Sequence, residues 1–497
     1  MSRVPWLLAW RSLSDRPWRS ALLLLGYGLG VAVMVALLSV GDALLSEARD
    51  RDLAAGGDLV LLPQGVDPAV LKVNGVTGLF FTIPHAGFIV RDVLGGPRFA
   101  GDVAGAAPEL SSRLVYVRVR GKVIPAAASA GIPSLDRAVH ATPAVPGAED
   151  EPADRAWLDP APADVLNASD HFHAPPPGDA GAWAEWDYFT FSDPRTGTYG
   201  YLTFLAGGEG KGAILFRLRR PGRAVEDVAI PVRLHPGALS TKTASQRLGP
   251  AHVTVDRGQY RLIVQDPRLR LDLELVPDAG FSLPPVELDE GALISGYVVP
   301  AVRGRITGTV RTARTSLRLD RAPAYHDHNW GTWRGVTWEW GEASGPAGAV
   351  LYGAIHTAGA TGVEAAGRPA ALFLWASSGA HRGGLVGIFP VRSITYAAWR
   401  PGPRLDGRAL LAPGEVMIAA ENGPDSVRVR IRIRDALASR APVQESPGAQ
   451  RAPGTLRAPA RVFLQLRGEA DVRGTMDGRP FAWTGPAASE TFVPLPP

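Results

Sequence analysis

The chain has 497 residues, 46% of them hydrophobic and 20% charged, a globular composition rather than a disordered or wholly membrane-embedded one, and at that length about three domains are expected. Its net charge of +4 comes from arginines scattered among aspartates and glutamates, with no basic cluster or nucleic-acid module, which sets nucleic acid aside as a partner. The absence of cysteine removes disulfides, thiol catalysis and cysteine-ligated zinc together.

In chain order the first predicted element is a membrane span. Ala21 to Val40 carry no charge, and about 20 such residues in a helix match a hydrocarbon core of roughly 30 Å. The run is longer than the apolar core of a cleaved signal and suits an uncleaved anchor. Arg3, Arg11, Arg16 and Arg19 precede it against a lone Asp15, and Asp42, Glu47, Asp50 and Asp52 follow it. The positive-inside bias then puts the N-terminus in the cytoplasm and the bulk of the chain outside, in a single-pass protein of the cell membrane. Trp6, Trp10 and Trp18 suit the interface.

The stretch "LAWRSLSDRPWRSALLLLGYGLGVAVMVALLSVGDALL", followed by "GGDLVLLPQGVD", resembles the first transmembrane helix and the start of the extracytoplasmic domain in permeases of the macrolide-exporter and lipoprotein-releasing type. The resemblance covers roughly the first 140 residues. It implies an amphipathic lead over 1–20, a helix over 21–41 and a small α/β extracytoplasmic domain over 42–142. No later run matches the further spans of those permeases. Between 143 and 182 the Pro, Ala and acidic residues read as a linker.

From 183 onward the pattern is strand after strand. "WDYFTFSD", "YGYLTFLAG", "GAILFRLRR", "QYRLIVQD" and "LRLDLELVP" alternate apolar with polar residues between Gly, Pro and Asp turns, and the same texture resumes with "AVLYGAIHT", "VMIAAEN" and "RVFLQLRGEADVRG". The fold class predicted is mainly β: two antiparallel barrel domains, 183–318 and 319–497, with a flexible loop at 438–455. In "SVRVRIRIRD" strict alternation puts Arg428, Arg430, Arg432 and Arg434 on one face and Val427, Val429, Ile431 and Ile433 on the other. The arginine face is either solvated or in contact with anionic headgroups.

Chemistry concentrates in "AYHDHNWGTWRGVTWEWG", residues 324–341. Read as a strand, Tyr325, Asp327 and Asn329 point one way and His326, His328 and Trp330 the other. The histidines and Asp327 therefore do not share a pocket, and a His-x-His pair binds a metal only if a third ligand arrives from elsewhere. Neither metal nor cofactor is expected. An Asp beside a Tyr among aromatic side chains is an acid in a low-dielectric lining, where burial favours the protonated form. Such an acid can protonate an alkene, with ring faces steadying the cation. Trp333, Trp338 and Trp340 are candidates for those rings, and Glu339 for a second acid or base. The competing reading is that the tryptophans plug a barrel.

"YHDHNWG", with the upstream "AEWDYFTFSD" and "YRLIVQDPRLRLDLELVP", resembles the carotenoid 1,2-hydratase (hydroxyneurosporene synthase) family. That family sits within a wider group that includes AttH-like proteins and several cyclases. The resemblance covers about 183–495. It implies two lipocalin-like barrels, a pocket for a long apolar molecule and acid catalysis by Tyr325 and Asp327, while Glu185, Trp186 and Tyr188 match the group's recurrent Glu-Trp-x-Tyr pattern, which either lines the pocket or starts a strand. Trp330 is a further candidate for the lining, and His326, His328 and Asn329 for its support. The chain departs from the family where a His-x-Trp pair is expected, offering Gly296, Tyr297 and Val298. Two functions follow as expectations. One is a membrane-anchored hydro-lyase, cyclase or isomerase acting on a polyene or isoprenoid. The other is a non-catalytic lipophile-binding component beside an ABC transporter ATPase and permease.

Overall fold

The computed structural model describes residues 102–119, 122–139, 147–151, 162–175 and 183–494, the last with breaks at 236, 279–280, 291–292, 334–335, 357–370, 379–384, 441–460 and 477, together with scattered positions elsewhere. The predicted span at 21–41, the stretch following it up to residue 101, and most of the loop at 438–455 fall largely outside those residues. Among the described residues no helix is long and apolar enough to cross a membrane.

The chain divides into two compact units, the second of which holds Glu151–Pro497. In the first, β1 (Glu109–Val119) and β2 (Lys122–Gly131) form an antiparallel hairpin. A short helix, α1 (Pro133–Ala138), follows, with proline in its first turn where no N–H is needed.

The second unit also takes in Thr82–Ala104, and from Glu151 onward it has α2 (Pro162–Ser169) and then strands. These are β3 (Trp183–Asp193), β4 (Thr198–Gly207), β5 (Lys211–Arg219), β6 (Glu226–Arg233), β7 (Gln246–Leu248), β8 (Ala251–Asp256), β9 (Gln259–Asp266), β10 (Leu269–Pro277), β11 (Leu283–Glu290), β12 (Leu293–Thr312) and β13 (Ser316–Thr332). They make one antiparallel sheet in the order β6-β5-β4-β3-β13-β12-β10-β9-β8-β7, with β11 also on β12. One apolar core takes Ile214 and Phe216 from one end of that path and Val253 and Leu262 from the other, so the sheet curls around it. The alternation that predicts this is plain in β10, where Leu269, Leu271, Leu273 and Leu275 are buried while Arg270, Asp272 and Glu274 are exposed.

The remaining strands are β14 (Thr337–Gly345), β15 (Gly348–His356), β16 (Ala371–Ser378), β17 (Leu385–Ala397), β18 (Arg400–Leu405), β19 (Arg408–Ala412), β20 (Glu415–Asn422), β21 (Asp425–Ser439), β22 (Arg461–Met476) and β23 (Arg479–Pro494). All but the β18–β19 hairpin close into an eight-stranded barrel, β14-β15-β16-β17-β20-β21-β22-β23. Val427, Val429, Ile431 and Ile433 of β21 enter its core, and Arg428, Arg430, Arg432 and Arg434 lie outside, as the alternation requires.

Two expectations are corrected. The division between the sheets lies between Thr332 and Thr337 rather than at 318/319, because β13 pairs with β12 from Ser316 to Gly331 and with β3 from Ala324 to Thr332, and so belongs to the first sheet. And the stretch read from its composition as linker contributes to a core. Asp170, just past α2, is 1% exposed and receives hydrogen bonds from inside the curled sheet, which a count of Pro, Ala and acidic residues does not reveal.

Candidate active site

Strand β13 carries the site because it lies between two environments. One face looks into the core of the curled sheet, and the other packs against the outer wall of the closed barrel. The register sets Asp327 opposite Tyr188 and Asn329 opposite Trp186 on β3, and Tyr297 of β12 opposite Asn329. Directly opposed residues of an antiparallel pair share a face, so these five side chains all look toward the closed barrel.

Asp327 is at the centre. Its Oδ2 accepts hydrogen bonds from the Tyr325 hydroxyl at 2.6 Å and the Tyr297 hydroxyl at 3.1 Å, and its Oδ1 accepts one from Asn329 Nδ2 at 3.0 Å. The two hydroxyls are 2.7 Å apart, and across the interface Trp340 Nε1 donates to them at 3.0 and 3.3 Å. Burial pushes the Asp327 carboxyl up to about 7, even though the tyrosine hydrogen bonds pull the other way. Burial likewise pushes Tyr297 and Tyr325 well above the ordinary phenol range, so both remain donors. The result is a carboxyl that holds or releases a proton near neutrality, in an aromatic wall.

A second carboxyl faces the same interface. Glu490 of β23 accepts from the Tyr188 hydroxyl at 2.9 Å and from Trp338 Nε1 at 3.1 Å, with Gln465 Nε2 3.3 Å away. Burial raises its pKa. Beside it lies an aromatic group in which the ring of Trp338 is 5.9 Å from Trp333, 6.0 Å from Trp186, 5.4 Å from Phe463 and 4.8 Å from Phe492. Trp186, Trp338, Tyr297 and Asn329 are only half-buried, which makes this the open edge of the site. On the other side of Tyr325 a crevice with room for roughly one water is lined by Thr190, Ser192, Tyr325, Glu342 and Arg467 among others. Arg467 lies 3.4 Å from Glu342, whose carboxyl burial raises to about 7.

The opposite face of β13 is a closed charge network. His328 meets Asp170 through Nδ1 and Glu185 through Nε2, each at 2.7 Å, and His326 meets the Tyr188 carbonyl at 3.2 Å and Asp170 at 3.1 Å. With an acceptor at each ring nitrogen, both rings are imidazolium ions. Against the cost of burial, the carboxylates Asp187, Asp170 and Glu185 hold His328 well above the ordinary imidazole range. The two imidazoliums in turn hold Asp170 well below the carboxylate range despite its burial. Asp170 also accepts from the Tyr260 hydroxyl at 2.6 Å. His326 is stacked on Phe189 with ring centres 3.9 Å apart, and Trp330 on His173 at 3.8 Å. Gly296 makes the second stack possible, because a Cβ there would lie 1.8 Å from the Trp330 ring. Among the described residues, His173, Glu185 and His328, or Asp170, Asp187 and His328, are the sets whose ligand atoms lie within 4.8 Å of one another and could hold a divalent cation. In the structure, hydrogen bonds between these same groups occupy the donors and acceptors that a cation would need.

The residues singled out from the sequence therefore separate. Tyr325, Asp327, Asn329, Trp186, Tyr188, Trp338 and Trp340 come together, with Trp333 at the rim. His326, His328, Trp330 and Glu185 lie behind the strand, where they brace it and cannot touch what Asp327 touches; for Glu185 and Trp330 this replaces a pocket-lining role. Glu339 is buried inside the closed barrel, on the opposite face of β14 from Trp338 and Trp340, and is no partner of Asp327. Sequence reasoning missed Glu490, Gln465 and Asp170, and treated Tyr297 as the loss of a family feature when it is a donor to the acid.

No family model matches the chain, and no curated protein matches it. Among solved structures, it is similar to an AttH candidate from Nitrosomonas europaea at 16% identity, covering 64% of this chain and 96% of that one, with a TM-score of 0.41. It is similar also to kievitone hydratase from Nectria haematococca at 10% identity, covering 62% and 88%, with a TM-score of 0.40. A third is CghA solved with Sch210972, at 10% identity, covering 66% and 94%, with a TM-score of 0.40. At these identities and scores nothing about chemistry passes from those proteins to this chain.

Proposed function

We propose that the chain is an acid catalyst for a lipophilic alkene, a polyene or isoprenoid, with Asp327 as the proton donor. One observation carries the reading: the Asp327 carboxyl is buried in a wall of tyrosine and tryptophan between two barrels, where burial pushes it up to about 7. In the step envisaged, the Asp327 O–H bond breaks and a C–H bond forms from the alkene π pair. The cation left behind is steadied by the Trp340, Tyr188 and Trp338 rings. A water then forms the C–O bond and returns its surplus proton to the Asp327 carboxylate, so an alkene and water become an alcohol. Loss of a neighbouring proton to the Asp327 carboxylate instead of water addition makes the same site an isomerase, and attack on the cation by a second π pair of the substrate, forming a C–C bond before that proton is lost, makes it a cyclase. The uncharged run at 21–40 supports a membrane anchor, which would hold the site beside the lipid phase where such a substrate collects.

A second reading is a lipophile-binding component beside an ABC transporter ATPase and permease. It is favoured by the engagement of both Asp327 oxygens within the chain, as in a polar lock joining two barrels. The two separate on Asp327→Asn. The full chain incubated with an acyclic carotenoid in deuterium oxide should place deuterium on carbon, together with oxygen if the reaction is hydration. The Asn variant should bind the carotenoid and leave it unchanged. Conversion that survives the substitution removes the acid mechanism.

A further inference from the structure

The β18–β19 hairpin is inserted between β17 and β20, which pair directly with each other, and it stays outside the closed barrel. Strand alternation gives it two faces. Leu405, Leu410 and Ala412 pack against the barrel core. Pro401 lies opposite Leu411 and Arg404 opposite Ala409 on the other face, and all four are exposed. Leu411 is 57% exposed, and Trp399, at the base of the hairpin, and Met417, two residues into β20, are 37% exposed each. Among the described residues of the two sheets, the other large apolar side chains so exposed are Val276 and Ile388, so most of them gather where β17 ends and β20 starts. Single exposed apolar side chains are ordinary, whereas a group of them marks a contact surface.

The surroundings of this face are basic. β21 runs beside the hairpin, with Arg400 donating to the Ile433 carbonyl at 2.6 Å and Arg440 pairing with Asp406 of the hairpin tip at 2.8 Å. The neighbouring acids are matched as well, Glu469 by Arg434 at 2.6 Å and Glu415 by Arg430. Arg404 on the outer face and Arg432 on β21 are exposed and stand in no ion pair among the described residues, so their charge is in excess. At about 3.3 Å per residue and about 4.8 Å between strands, the outer face of the hairpin covers roughly 200 Å², whereas a stable protein interface takes about 800 Å² from each partner. A lipid surface needs no shaped counterpart of that size. It favours an indole at the headgroup level, takes aliphatic side chains out of water and attracts arginine when its lipids are anionic. We infer that the outer face of the β18–β19 hairpin, with Trp399, Leu411 and Met417 beside Arg404 and Arg432, docks on the surface of an anionic bilayer. Its inner face is held in the barrel core, so the hairpin enters as a fixed edge of the barrel. The docking requires neither acid catalysis by Asp327 nor a membrane span at 21–40.

The absence of cysteine allows a single fluorophore to be placed on the hairpin through Ala409→Cys, or at the exposed end of β8 through Asp256→Cys as a control. The full chain with either label is reconstituted with vesicles of phosphatidylcholine alone, or of phosphatidylcholine and phosphatidylglycerol in equal parts, each with and without lipid brominated in the upper acyl chain. In the mixed vesicles bromolipid should quench the label at position 409 about twofold and leave the label at position 256 unchanged, and in phosphatidylcholine alone the quenching should be much weaker. Arg404→Glu combined with Arg432→Glu should reduce quenching in the mixed vesicles to the phosphatidylcholine level, as should high salt. Leu411→Ser, an exposed substitution that leaves the charges in place, should reduce it as well. No quenching at position 409 in the mixed vesicles, equal quenching in the two kinds of vesicle, or equal quenching at positions 409 and 256 overturns the proposal. A spectral shift at position 409 that follows the protein-to-lipid ratio and ignores bromination would mean that a second copy covers the hairpin, and overturns it equally.

Discussion

Replacing Asp327 by Asn removes one titrating group and leaves the side-chain shape nearly unchanged. The carboxyl is buried, which pushes its pKa in the folded chain up to about 7 from the ordinary 3.8. A raised folded pKa means that the native state binds more protons than the unfolded chain between those two values. The contribution of Asp327 to stability is therefore fully present below about pH 4 and is lost as the pH rises through about 7. Roughly three pKa units at about 1.4 kcal/mol each make the loss about 4 kcal/mol. Asparagine does not titrate, so that loss disappears, although its amide must turn to keep accepting from Tyr325 and then sets its NH2 toward the NH2 of Asn329. That mismatch costs about 1–3 kcal/mol at every pH. The variant should therefore be the less stable protein at pH 4 and gain on the wild type until it equals or exceeds it at pH 8. Urea unfolding of both proteins across this range gives the difference, from which the other buried acids largely cancel. Infrared spectroscopy supplies an independent reading: a protonated-carboxyl band absent from Asp327→Asn should titrate near pH 7. A wild-type-minus-variant difference that stays flat from pH 4 to 8 refutes the buried, neutral acid and the mechanism with it.

Tyr325→Phe takes away the 2.6 Å donor that favours the ionised carboxylate, so the infrared midpoint of Asp327 should move to higher pH, and at pH 8 the fold should lose roughly 1.5–3 kcal/mol. Asp170→Asn strips the shared counter-charge from His326 and His328 inside the curled sheet, and should cost roughly 3–5 kcal/mol in urea unfolding at pH 7. An Asn variant as stable as wild type would mean that the imidazoles are neutral. Gly296→Ala drives a methyl into the Trp330 ring and should cost about 1–3 kcal/mol while altering the near-ultraviolet circular dichroism of the stacked indole; an unaltered spectrum would show that Trp330 does not lie across β12.

How much of this was legible beforehand depends on whether the information is local. Alternation along 325–330 separates the acid from the histidines by strand geometry alone, and the same rule sorts Arg428 to Arg434 from the valines and isoleucines between them. Glu490 sits in "AASETFVP", where nothing nearby marks it, and its contact with Tyr188 spans 302 residues of sequence. Asp170 sits among prolines and alanines, and only its placement beside Tyr260, His326 and His328 distinguishes it from a linker acid. Tyr297 was visible as a departure from the family pattern, but its worth depends on a register that pairs it with Asn329. Period-two pattern also cannot tell which sheet a strand joins, so by itself it divides the sheets at 318/319, near the start of β13, instead of after its end.

The site is also assembled in halves. Asp327, Tyr325, Tyr297 and Tyr188 come from the curled sheet, whereas Trp338, Trp340, Gln465 and Glu490 come from the closed barrel, so neither contains a complete acid site. Each half buries its polar groups only against the other, and that burial lifts the Asp327 carboxyl toward neutrality. Among the described residues the half-buried edge at Trp186 and Trp338 is the approach that suits a substrate on the proposed reading, whereas the crevice beside Tyr325 has room for about one water. Loosening the interface to admit a larger molecule would bring water to the carboxyl and lower its pKa toward the ordinary range. On the proposed mechanism, the protonated carboxyl that alkene protonation needs is thus tied to the fit of the two barrels around whatever lies between them, and a substrate that fills the gap while admitting no more than the reacting water is the one on which Asp327 would act.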